Sequence, residues 1–81
     1  MYEPIHESIS VIGVYKNRKF IPRKFLWLDK EYVVDIITFF SDIKDGSVRK
    51  RQYSVVVNGT SYRLLFDRAE ETWMLEEVWC E

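Results

Sequence analysis

The pair Asn58-Gly59 constrains this chain more than any other two residues. Both central residues of a two-residue type I′ hairpin loop need positive φ, and Asn-Gly supplies it at low cost. Before the pair, Tyr53, Val55 and Val57 fall on alternate positions; after it, Tyr62, Leu64 and Phe66 do the same. Alternation puts each trio on one face of a strand. Residues 52–66 therefore read as a β-hairpin with one apolar face, and the fold has to cover that face.

The rest of the chain divides the same way. Residues 5–15 are rich in β-branched side chains, with Gly13 placed for a bulge. "KNRK" at 16–19 is a turn in which Asn17 takes positive φ. Residues 20–28 form the next segment, and Pro22, which cannot donate to a ladder, belongs at an edge or bulge. After "LDKE", residues 32–40 match both helical spacing (Val33, Ile36, Ile37, Phe40) and strand spacing (Tyr32, Val34, Ile36, Thr38). Their β-branched content decides for strand. Residues 41–50 read as a polar loop, and 72–79 as a last strand with Trp73 and Leu75 on one side and Met74, Glu76 and Val78 on the other. Short strands separated by turns make an all-β domain. The expectation is a single antiparallel meander of five or six strands, curled into a half-barrel or barrel to protect its edges.

With 81 residues there is room for one domain over 1–81, with 1–4 and 80–81 expected to fray. A chain this short buries only about 60% of its extended surface. Cys80 is its single cysteine, so no internal disulfide stabilises it. Instead the chain carries 3 Trp, 5 Tyr and 5 Phe, and each buried ring removes about 150–250 Å² from water. The rings are first of all a stability device. Phe25 and Trp27, in step on one strand, are expected in the core.

The segment with Pro22, Phe25 and Trp27, the pairs Tyr32/Val34, Tyr53/Val55 and Tyr62/Leu64, and the closing Trp73, Leu75, Val78 and Trp79 resemble a family of small bacterial domains of unknown function. That family carries "PxxFxW" near its start and "WxLxxVW" at its end. The resemblance covers most of residues 22–79 and implies no particular activity. Members often follow the tryptophan with several arginines, where this chain has "LDKEY".

Enzyme chemistry needs constellations that this sequence lacks. Nucleophilic catalysis requires a nucleophile beside a base, and His6 and Cys80 stand near opposite ends of the chain. One Cys and one His do not make a structural zinc site. Asp42, Asp45 and Gly46 lack the spacing of a calcium loop, and the three isolated glycines make no phosphate cradle. Glu70-Glu71 and Glu76-Glu77 are neighbours that point to opposite faces of a strand. No catalytic residue, metal or cofactor is expected. The N-terminal residues do not form a signal peptide, no apolar run reaches the roughly 18–20 residues of a spanning helix, and a lone cysteine fits the cytoplasm.

Net charge is −1, but the chain is basic early and acidic late. Lys16, Arg18, Lys19, Arg23 and Lys24 fall in one stretch without an acid, and Arg49, Lys50 and Arg51 form a second cluster. Asp67, Glu70, Glu71, Glu76, Glu77 and Glu81 face them with one base, Arg68, among them. If 20–28 pairs with 72–79, Arg23 and Lys24 oppose Glu76 and Glu77. Two readings follow. In the leading one the protein is a non-enzymatic interaction module that binds a partner protein or itself, through an edge strand or a surface of Tyr15, Phe20 and Trp79. In the alternative, the eight bases named above line a single-stranded nucleic-acid groove and exposed rings stack on the bases.

Overall fold

The computed structural model describes residues 1–80, and for Asp45 the backbone alone. Seven strands follow one another: β1 (Tyr2–Lys16), β2 (Lys19–Trp27), β3 (Lys30–Val33), β4 (Ile36–Asp45), β5 (Val48–Val57), β6 (Thr60–Asp67) and β7 (Thr72–Trp79). All pairings are antiparallel, in one sheet ordered β3-β2-β1-β7-β6-β5-β4 and curled into a half-barrel.

The hairpin turns obey the local rules. Asn17 and Arg18, Leu28 and Asp29, and Asn58 and Gly59 all have positive φ. Such turns carry the right-handed twist of their flanking strands. Gly13 faces Pro22 where the β1–β2 register shifts, so the bulge and the proline without an amide hydrogen coincide.

The topology departs from the expected meander in three ways. First, there are seven strands: 32–40 breaks at Val34 and Asp35 into β3 and β4, and the expected loop at 41–50 is the β4–β5 hairpin. Second, β2 does not pair with β7, because the long β1 lies between them and pairs with both. Lys24 therefore meets Glu31 of β3 at 2.6 Å, and Glu77 meets Arg63 of β6 at 3.2 Å. The predicted facing of Arg23 and Lys24 with Glu76 and Glu77 does not occur. Third, residues 2–4, expected to fray, are in register with β7, Tyr2 opposite Trp79. The Met1 amine donates to the Cys80 carbonyl at 2.9 Å, and the Cys80 amide donates back to Met1 at 2.8 Å. Residue 81 lies outside the described residues.

Consecutive strands β3 and β4 occupy opposite edges of the sheet. Only Val34 and Asp35 join them. The Val34 amide donates to Arg23 O of β2 and the Asp35 amide to Val56 O of β5, both at 2.8 Å. Two residues of extended chain span so little that the edges come within roughly 11 Å of each other there. From that junction the seam runs open toward the end that carries the β1–β2 and β4–β5 hairpins.

Inside the curl lie Ile9, Phe25, Tyr53, Val55, Val57, Tyr62, Leu64 and Leu75. Phe25 is fully buried, stacks on Tyr32 at 4.9 Å and meets Tyr62 edge-on at 5.4 Å. Trp27 is half-buried against the same cluster, its indole N–H donating to Glu7. The alternating trios on β5 and β6 behave as their spacing predicts. Val78 does not. The β6–β7 register shifts between Arg63 and Leu64, so that Val78 pairs with Tyr62 and packs on the core. An opposing shift in β1 between Pro4 and Glu7 puts His6 at φ 56 and its Nδ1 3.8 Å from Glu76.

Candidate functional site

The open end of the half-barrel is built from the β1–β2 hairpin on one side and the β4–β5 strands on the other. A tight two-residue turn puts Tyr15 opposite Phe20, their rings edge-to-face at 5.3 Å. Phe20 turns inward beneath Gly13 and reaches Trp73 of β7 at 5.6 Å. Trp73 in turn meets Phe66 at 4.8 Å and Tyr53 at 5.5 Å. Tyr53 then faces Phe40 of β4 at 6.2 Å. A continuous string of rings thus crosses the mouth from β1 to β4.

Arginines rim these rings. A cavity of about 240 Å³ is lined by five of the rings (Tyr15, Phe20, Tyr53, Phe66 and Trp73) and by Arg18, Arg51 and Arg68. Among the described residues, no carboxylate, histidine, serine or cysteine lines it. Arg51 is held in place: its Nε and Nη2 donate to the two oxygens of Asp42 at 2.7 and 3.3 Å. The same fork holds the Asp42 carboxyl below its ordinary range and the Arg51 guanidinium more firmly protonated than usual. Among the described residues, Lys16, Arg18, Lys19 and Arg68 have no carboxylate within 4.0 Å. Lys19 instead places its Nζ 4.9 Å from the Phe40 ring centre, across the seam.

A second opening adjoins the first. A slot of about 560 Å³ follows the seam between β2 and β4, with Phe20, Ile21, Ile37 and Phe40 as its apolar walls and Lys16 and Lys19 at its rim. The Tyr53 hydroxyl donates to the Phe20 carbonyl at 3.0 Å, so a side chain from β5 reaches the exposed edge of β2 there.

The sequence-predicted residues divide sharply. Tyr15, Phe20, Lys16, Arg18, Lys19 and Arg51 come together at the mouth. Arg49 borders it, lining a smaller hollow with Arg68 and Lys44. Lys50 does not belong, because neighbours on a strand point to opposite faces and Arg51 takes the inner one. Lys24 is engaged by Glu31, well down β2. Arg23 sits at the β1–β2 register shift, its carbonyl bound by Val34. Trp79 is at the far end: it packs edge-on against Tyr2 at 5.1 Å, beside the Asn58 and Gly59 turn. The expected surface of Tyr15, Phe20 and Trp79 is therefore not one surface, since Tyr15 and Tyr2 stand at opposite ends of β1. Tyr53, Phe66, Trp73 and Arg68 were not predicted for the site. In the sequence Tyr53, Phe66 and Trp73 read only as apolar faces of their strands, and Arg68 only as the one base in the acidic C-terminal stretch.

His6 and Cys80 have separate neighbours: His6 lies beside Glu76, while the Cys80 thiol donates to Glu3 Oε2 at 3.1 Å. Among the described residues no group of three or more His, Cys, Asp or Glu is arranged to hold a metal ion, and no helix is long and apolar enough to cross a membrane.

Comparison of the chain with protein-family models, with curated proteins and with solved structures returned no match.

Proposed function

We propose that the protein is a non-enzymatic binding module whose ligand is a single-stranded nucleic acid, taken at the open end of the half-barrel. The observation that carries this reading is the cavity where five rings meet three guanidinium groups and, among the described residues, no carboxylate. Bases stack on rings whatever their sequence, and guanidinium groups pair with phosphates bidentately. Tyr15, 78% exposed, offers a free ring face at the rim. Lys16, Arg18 and Lys19, which have no carboxylate within 4.0 Å among the described residues, supply a positive lip along the approach, while Arg51, locked by Asp42, adds a fixed donor below it. A protein-partner surface of Tyr15, Phe20 and Trp79 has less support, since Trp79 stands at the opposite end of the sheet from the other two; pairing through an edge strand is a separate matter. A bacterial, cytoplasmic setting belongs to the same proposal, supported by the family resemblance and the free Cys80.

The test is fluorescence anisotropy with a labelled oligothymidylate at several salt concentrations. Three or so phosphate contacts predict a slope of log K against log salt near −2, from about −0.7 per contact on single strands. Tyr15→Ala should weaken binding about 5- to 150-fold, the range of one base–ring stack. Arg18→Ala and Arg68→Ala should weaken it and flatten the slope; Arg23→Ala should leave it unchanged. Binding that ignores all three mouth substitutions, or no binding at low salt, would overturn the proposal.

A further inference from the structure

The sheet has two edges, and they differ. β3 is four residues long with Lys30 and Glu31 in it, a short charged edge of the kind that discourages pairing. β4 is ten residues long and leaves Ile36, Phe39, Phe40 and Ile43 more than a third exposed. Its first half carries a register shift between Ile37 and Phe39 and faces the seam. From Ser41 to its end the ladder with β5 is regular.

We infer that two copies of this chain pair through the second half of β4, antiparallel, with Ile43 opposite Ile43 of the second copy. Hydrogen-bond direction and charge both select this register. Asp45 and Val48 flank a two-residue turn, so their backbone groups point at each other. By alternation Ile43 and Ser41 also point toward β5, and Lys44 and Asp42 point outward. With Ile43 on the two-fold axis, Asp42 lies opposite Lys44 of the second copy, and the outward groups of both are in position to exchange hydrogen bonds. Centring the axis on Asp42 or Lys44 sets like charges against each other. Centring it on Ser41 sets Asp42 against Phe40. Lys44 has no carboxylate partner within the chain among the described residues. Asp42, although bound by Arg51, keeps acceptor sites on both oxygens. An isologous pair of this kind closes on itself and leaves no new edge at the junction. This inference does not depend on what the open end binds.

The experiment is sedimentation equilibrium of the full chain over a wide concentration range, joined to cysteine cross-linking in a Cys80→Ser background. The mass should rise from 9.8 kDa toward twice that value. Across a non-hydrogen-bonded antiparallel pair the Cα atoms stand about 4.5 Å apart, within the range a disulfide spans. Ile43→Cys should therefore form a disulfide dimer on mild oxidation, and Phe39→Cys should not. Lys44→Glu, which faces Asp42 with a second acid twice over, should return the mass to the monomer with the circular dichroism spectrum unchanged. A monomer at every concentration, or cross-linking of Phe39→Cys as fast as Ile43→Cys, would overturn the inference.

Discussion

Phe20 lies against the α-carbon of Gly13, so close that a β-carbon built on Gly13 would stand 2.6 Å from Phe20 Cζ and collide with the Ile21 carbonyl. The missing side chain in β1 is what lets the Phe20 ring turn inward and join Trp73. Gly13→Ala ordinarily gains something in a strand, since glycine costs about 0.5–1 kcal/mol relative to alanine there. Here overpacking wins, at about 1–3 kcal/mol. Urea denaturation should show a lower midpoint with an unchanged m value, and near-ultraviolet circular dichroism should report a changed environment for Trp73.

The core prediction concerns Phe25. Fully buried and in ring contact with Tyr32 and Tyr62, it should cost about 3–5 kcal/mol when cut to alanine. A chain of this size has a total of roughly 4–12 kcal/mol to lose. Phe25→Ala should therefore melt far below the wild type or fail to fold, as thermal circular dichroism would show, with Phe25→Leu falling between.

Much of this architecture could be read from residue spacing, and the parts that could not share one cause. Asn58-Gly59, Gly13 and Pro22 act locally, so their turn and bulge were predictable from their own φ preferences and missing groups. The alternating trios of β5 and β6 fixed their inner face for the same reason. Which strand neighbours which depends on long-range pairing, and nothing local to 20–28 or 72–79 says that β1 will lie between them. That single fact moved Lys24 to Glu31, separated Trp79 from Phe20 and brought Trp73 to the mouth. Val78 escaped prediction because a bulge reverses the alternation that the reading assumed.

The Asp42–Arg51 fork gives a pH signature. Arg51 keeps the folded-state pKa of Asp42 below its unfolded value of about 3.9. Its contribution is complete above that value and is lost as pH falls through the folded-state pKa, because the unfolded chain then binds the proton more readily. The pair is largely open to solvent on the Asp42 side, so it contributes about 1 kcal/mol or less. Asp42→Asn should shallow the acid limb of the stability–pH curve, measured by urea denaturation between pH 5 and pH 2, and leave the alkaline limb as it was.

Cys80 is predicted to be a slow thiol. Its hydrogen bond to the Glu3 carboxylate, reinforced by that negative charge, raises its pKa. The thiolate is the reactive form. Alkylation by iodoacetamide near neutral pH should lag behind that of a free cysteine, and Glu3→Gln should speed it.

The central claim is that the ring-lined basic end is the working surface. It is tested most directly by titrating an oligothymidylate into ¹⁵N-labelled protein and following amide and indole resonances. The account predicts that Tyr15, Arg18, Phe20 and the Trp73 indole shift together and saturate, while Tyr2, Asn58, Gly59 and Trp79 stay where they are. Shifts centred on Trp79 and the Asn58 turn, or none anywhere at low salt, would contradict it.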